Sequence, residues 1–148
     1  MTSDRLPLGE LLFHEPPMIL LDRHVADLED GAVCEVDIRA DSPFAGPDGV
    51  PAHVAVEYMA QTIGVHAGLR NRAAGRPPEI GFLLGSPKVE LACDVFPIGS
   101  CLRVTAERSW DGGRVVQFRC TESDARTGDT LVTASISAYS PSREEGTR

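Results

Sequence analysis

The segment AHVAVEYMAQTIGVHAGLRNRAA, residues 52–74, constrains the fold of this chain more than any other stretch. Its apolar residues recur at spacings of three and four, which predicts an α-helix from about residue 52 to residue 74. Arginines gather at its end, where they favour the helix dipole, and Gly75 with the two following prolines stops it. A helix this apolar and this rich in Ala and Gly must be covered closely by the rest of the chain.

The rest of the chain shows strand patterns separated by the turn signals EDG, DGG and TGDT. Residues 103–107 and 116–120 alternate, as strands with one buried face do. Strands are predicted within residues 18–29, 32–40, 80–93, 97–110, 114–125 and 131–140. One long helix among strands predicts an α+β fold in which an antiparallel sheet wraps around the helix. We find no repeat or linker, so residues 1–148 are predicted to form one domain, with a disordered tail from about residue 141.

A loop and a charge mark the place in the sequence where chemistry is predicted. Residues 40–51, ADSPFAGPDGVP, hold three prolines and two glycines and predict a shaped loop rather than a regular element. The predicted helix that follows carries Glu57 among apolar neighbours. A charge in such surroundings is costly unless it is paired or used, which makes Glu57 a candidate functional group.

Composition excludes several classes of function. The net charge of −8, from 14 basic and 22 acidic residues, argues against nucleic acid or an anionic membrane as the main partner. The sequence has no apolar run of about 18 residues and no signal-peptide pattern at its start, so we expect a cytoplasmic protein. Its four cysteines lack metal-ligand spacing and predict buried, reduced thiols; no metal site is expected.

Three segments resemble one enzyme family in order and spacing. LFHEPPMILLDR at 12–23, GVPAHVAVEYMAQ at 49–61 and DVFPIGSCLRV at 94–104 are similar to the signature segments of hot-dog-fold 3-hydroxyacyl-acyl-carrier-protein dehydratases. The likeness covers residues 6–140. PDGVPA and EYMAQ further resemble a branch, the aryl-polyene-cluster dehydratase-like proteins. The resemblance implies the hot-dog fold, in which the sheet wraps one central helix and two chains join their sheets in a homodimer.

The resemblance also implies a reaction and a set of site residues. In the family a histidine removes the α-proton of the 3-hydroxyacyl thioester, and a carboxyl group on the helix protonates the departing 3-hydroxyl. Glu57 falls on that carboxyl group, and backbone N–H groups at the helix start are expected to polarise the thioester carbonyl. Substrate-binding positions are implied at His14, Phe44, Gly46, Pro51, Ala52 and Gln61. No cofactor is expected beyond the phosphopantetheine that the substrate carries.

The sequence departs from the family at one position that matters. Pro43 occupies the place of the catalytic histidine, and proline has no titratable group. His53 lies four residues before Glu57, on the same helix face, and is the predicted substitute base. His66 is expected on the opposite side of the helix, as a hydrogen-bonded core or interface residue. The resemblance also implies a tunnel beside the central helix that binds the acyl chain, and His14 is expected to have a structural or substrate-side role near this acyl tunnel.

Three functions remain open from the sequence. The first is a dehydratase of fatty-acid or polyene-type biosynthesis that uses Glu57 and His53. The second is a weak or inactive acyl-binding subunit that pairs with an active homologue. The third is an acyl-thioesterase in which Glu57 activates water. The expected partners are an acyl carrier protein or coenzyme A thioester, for which Arg70, Arg72, Arg76 and Lys88 could form a basic patch, and a homodimer or higher oligomer.

Overall fold

The computed structural model describes Leu8 and residues 18–76 and 82–139. The sequence LGELL at residues 8–12 predicts a short helical turn. Apart from Leu8, this turn lies outside the described residues, as does the tail predicted to be disordered. The strands are β1 (Arg23–Leu28), β2 (Gly31–Asp37), β3 (Gly49–Pro51), β4 (Phe82–Leu91), β5 (Val95–Pro97), β6 (Cys101–Asp111), β7 (Val115–Asp124) and β8 (Thr130–Tyr139). A 3-10 helix (Ala52–Val54) leads into the α-helix α1 (Ala55–Ala73).

Six of the strands form one antiparallel sheet in the order β1-β2-β6-β7-β8-β4. The helix α1 packs against β2, β6, β7 and β8. This is the predicted α+β arrangement, with the sheet wrapped around one long helix. The helix predicted over residues 52–74 ends within a residue of α1, and its first three residues form the 3-10 helix rather than α-helix.

The core lies between α1 and the inner face of the sheet. In β6 and β7 alternate residues point inward, so that Leu102, Val104 and Ala106 are fully buried beside Phe118 and Cys120. On the helix side the core contains Ala55 and Met59, which are both fully buried. The small side chains predicted to allow close approach of the sheet therefore do so at the start of α1.

A second sheet, of two strands, was not predicted. Residues 40–51 were expected to hold no regular element, but Gly49–Pro51 forms β3 and pairs with β5. Gly49 has φ of +137°, and a Cβ there would collide with the carbonyl oxygen of Phe96. Glycine therefore allows the chain to pass close to β5 just before the helix.

Candidate active site

The start of the helix is fixed by the short sheet. Pro51 ends β3, and the amide of Ala52 donates a hydrogen bond of 2.9 Å to the carbonyl oxygen of Asp94. In this structure the Ala52 N–H thus bonds within the protein and links the 3-10 helix to the chain leading into β5. The substrate-binding roles of Pro51 and Ala52 stay predictions, with both residues placed at the helix entrance.

Glu57 lies in the first turn of α1, and its side chain is half-buried. Gln61, one turn further, donates from Nε2 to Oε2 of Glu57 at 3.2 Å. The same Nε2 donates to the Met18 carbonyl oxygen at 2.7 Å, while Oε1 accepts from the Leu20 amide at 2.8 Å. Gln61 is fully buried, so the chain before β1, the helix and Glu57 are joined by one side chain.

His53 lies in the 3-10 helix with an exposed side chain. Within the part of the chain that the structure describes, no hydrogen bond joins His53 to Glu57, although the two residues are one turn apart. Nothing here tests its role as a base, which stays a prediction. His14 lies outside the described residues.

The loop before the helix places Pro43 beside a small cleft. The cleft has a volume of about 40 Å³, which is far below the roughly 300 Å³ or more of a typical ligand pocket and suits water better than an acyl chain. It is lined by Ile19, Leu20, Asp22, Val36, Asp37, Arg39, Ser42, Pro43 and Tyr58. Its polar lining residues are Asp22, Asp37, Arg39 and Ser42, and Pro43 brings no titratable group to it.

Phe44 and Gly46 continue this loop towards β3. Phe44 has φ of +68°, a conformation that is uncommon for a bulky residue, and its side chain is 60% exposed. Gly46 forms an isolated bridge with Gly49, which ties the loop to the helix entrance. Their predicted contacts with substrate are untested, but both lie on the loop that leads to Glu57.

His66 lies in the core on the far side of α1, as predicted. Its ring meets Phe118 edge-on at a centroid distance of 6.0 Å. Burial, with smaller contributions from Arg70 and Arg108, lowers the pKa of His66 to about 4, so the ring is neutral at pH 7. A hydrogen bond was also predicted for this ring, but its Nε2 has no partner among the described residues. A neutral, enclosed imidazole packs as a core group.

Glu122 is the group that the sequence reasoning missed. Its side chain is fully buried on β7, and both carboxyl oxygens lack a hydrogen-bond partner in the described ranges. Burial raises the pKa of Glu122 to about 8, and its charge in turn contributes to a raised pKa of Tyr58, whose main cause is burial. The alternation of Phe118, Cys120 and Glu122 is a signal that could have placed it inward.

Asp22 and Arg23, the last two residues of the first signature segment, bind other side chains rather than each other. Arg23 pairs with Asp37 and Glu35 at 2.8 Å each, while Asp22 accepts from Arg39 at 3.1 Å. Hydrogen bonding by Arg23 lowers the pKa of Asp37. These pairs hold β1 on β2 beside the cleft and so have a structural role.

The described residues also limit which other sites the chain can offer. No three His, Cys, Asp or Glu side chains come together as a metal site in those ranges. No helix there has the length and apolar character that crossing a bilayer requires. All four cysteines are free, and burial raises the pKa of the Cys34 and Cys120 thiols to about 12.

Comparison with known proteins identifies relatives of this chain. The family model described as ApeP-like, ApeP dehydratase, matches residues 6–147. The structure of the dehydratase heterocomplex ApeI:P from Xenorhabdus doucetiae contains a similar chain, with 31% identity, a TM-score of 0.85 and coverage of 92% of this chain and 91% of that one. Among curated protein sequences, none matches significantly.

More distant structures share the fold alone. The PaaI protein of the phenylacetic acid degradation operon of E. coli is 10% identical, with a TM-score of 0.61 and coverage of 79% and 81% of the two chains. A hypothetical thioesterase protein from Streptococcus pneumoniae, solved with coenzyme A, is 11% identical, with a TM-score of 0.61 and coverage of 87% and 91%. The predicted hot-dog fold is thereby confirmed.

Proposed function

Because the chain belongs to the ApeP-like family of dehydratases, we propose that it acts on 3-hydroxyacyl thioesters, from which water is removed to give the 2-enoyl thioester. The observation that carries this proposal is Glu57. Its carboxyl group lies in the first turn of α1, and Gln61 holds it by a hydrogen bond. Glu57 protonates the departing 3-hydroxyl, and helix-start amides beyond Ala52 polarise the thioester carbonyl.

The base that removes the α-proton is the distinctive feature of this chain. Pro43 has no proton acceptor, and a positioned general base typically contributes about 10²–10⁴-fold to a rate, or roughly 3–5 kcal/mol of barrier. We propose His53 as the base within this chain, because it is the described histidine nearest to Glu57 along the helix. Its side chain is exposed, so it is not held by packing in the core.

Pro43 also favours a second candidate function, that of a subunit working with an active homologue. The similar chain from Xenorhabdus doucetiae belongs to a dehydratase heterocomplex. We propose that this chain likewise assembles with a homologous dehydratase chain. The partner chain then supplies the base, and this chain supplies Glu57 or the acyl tunnel. Assembly with a second copy of itself is the alternative.

The carrier and the compartment follow from the same proposal. We propose an acyl carrier protein as the carrier, with phosphopantetheine brought by the substrate and no other cofactor. Exposed arginines at the end of α1, Arg70, Arg72 and Arg76, offer positive charge to an acidic carrier. The free cysteines are typical of a reducing compartment, which supports a cytoplasmic location for the protein.

A thioester assay tests these functions against one another. The chain, alone and together with a homologous dehydratase chain, is given 3-hydroxyacyl and 2-enoyl thioesters of several lengths. We expect interconversion of the two, reduced about 10²–10⁴-fold by Glu57→Gln. His53→Ala should slow the reaction if the chain acts alone and leave it unchanged if the partner supplies the base. Absence of interconversion in both settings contradicts the proposal, and release of free thiol indicates a thioesterase.

A further inference from the structure

Gln61 has its orientation fixed by its surroundings. The Leu20 amide can only donate a hydrogen bond, so the Gln61 atom that it meets at 2.8 Å must be the carbonyl oxygen Oε1. The amide nitrogen therefore faces the other way, towards the Met18 carbonyl oxygen at 2.7 Å and Oε2 of Glu57 at 3.2 Å. The two N–H groups and the oxygen of this buried amide are thus each engaged.

This orientation distinguishes the two oxygens of Glu57. Oε2 receives an N–H from Gln61, so a proton on Oε2 would meet another donor. We propose that Gln61 is a positioning residue, rather than a substrate-binding one, which holds the carboxyl group of Glu57 in place through Oε2. This rests on the proposed function of Glu57 as the acid that protonates the departing 3-hydroxyl, which accepts the proton and leaves as water.

Gln61 also links the acid to the wall of the cleft. Its partners Met18 and Leu20 belong to the chain that enters β1, and Ile19 and Leu20 line the cleft beside Pro43. The position of Glu57 is therefore set by the same side chain that anchors this wall.

Two variants of Gln61 test the proposal, with dehydration measured on the chain alone and with a homologous partner. Gln61→Met removes the donor, and the loss of a hydrogen bond to a charged group, about 1.5–3 kcal/mol, corresponds to a fall in kcat of roughly 10–100-fold, with KM nearly unchanged. Gln61→Glu replaces the donor by a carboxylate. It should recover activity towards acid pH, where the introduced carboxyl is protonated and donates again.

The matched control is Thr62, the next residue of α1. Thr62 is fully buried and donates to the Tyr58 carbonyl oxygen at 2.9 Å rather than to the acid, so Thr62→Val disturbs the same turn without removing a donor to Glu57. We expect kcat of Thr62→Val within threefold of the wild type, since a single neutral hydrogen bond contributes only about 1 kcal/mol and lies outside the reaction. Equal losses in Gln61→Met and Thr62→Val would mean that Gln61 is merely structural.

A double-variant cycle isolates the action through Glu57. In a Glu57→Ala background, Gln61→Met should cost little further activity, because the group that it positions is gone. If Gln61→Met costs the same factor in both backgrounds, the proposal is overturned.

A measurement without turnover separates this proposal from the proposed function. The side-chain amide of Gln61 is observed by NMR in ¹⁵N-glutamine-labelled protein and assigned by its loss in Gln61→Met. Glu57→Ala should shift this signal, because it removes a hydrogen-bond acceptor, whereas Thr62→Val should not. An unshifted signal overturns the proposal even if the chain is active. A shifted signal in a chain without dehydratase activity supports the positioning and contradicts only the proposed function.

Discussion

At the scale of single residues, Glu122 makes stability depend on pH. Its carboxyl is enclosed between α1 and β7, and no described group donates to it or neutralises it. The group is therefore held protonated, with its pKa raised from 4.5 to about 8 by burial. Between these two values the folded chain keeps a proton that the unfolded chain releases, so the free energy of unfolding falls as pH rises.

Glu122→Gln tests this coupling. The wild type should lose stability by up to about 1.4 kcal/mol per pH unit between pH 5 and pH 8, whereas Glu122→Gln, which cannot ionise, should lack this loss and be the more stable protein at pH 8. Urea unfolding at several pH values measures the difference. Glu107→Gln, an exposed change on β6, is the control and should keep the wild-type dependence. Parallel pH dependences in wild type and Glu122→Gln would contradict the assignment.

At the scale of elements, the short ladder between β3 and β5 sets the start of the helix. Gly49→Ala should lower the free energy of unfolding by roughly 3–5 kcal/mol, because alanine is strained at φ of +137° and its Cβ meets the Phe96 carbonyl oxygen. Gly128→Ala is the control, since Gly128 has φ of +83° with open space around it and should lose only about 1–2 kcal/mol. Urea midpoints compare the two, and equal losses would refute a role for the close approach.

The same elements show what the sequence can and cannot predict. The helix and the six long strands follow from local periodicity, and the spacing of Glu57 and Gln61 already places them on one helix face. The strand Gly49–Pro51 was not predicted, because three residues carry no period and their pairing depends on the distant Val95–Pro97. The partners of Gln61 were likewise hidden, since the Met18 and Leu20 backbone groups are far away in sequence.

At the scale of the whole molecule, β4 leaves apolar surface on the inner side of the sheet. Leu91 pairs with Val132 and Val89 with Ala134, so these side chains share the core face. Val132 and Ala134 are 1% and 6% exposed, whereas Leu91 and Val89 are 47% and 38% exposed. The core face therefore continues beyond the part that α1 covers. An exposed apolar edge strand of this kind is typical of a surface that a second chain covers, as expected for a member of an oligomer-forming fold.

Leu91→Lys should weaken assembly with a second copy or with a homologous chain. Burying the exposed half of one leucine contributes about 1 kcal/mol per chain, and a buried charge opposes association further, so the apparent Kd should rise at least tenfold. Glu90→Lys introduces the same side chain at the neighbouring position, on the opposite face of β4, and should leave assembly unchanged. Sedimentation velocity with and without the homologous chain measures the effect. Equal association of both variants, with circular dichroism showing that each is folded, would exclude the inner face of β4 from the interface.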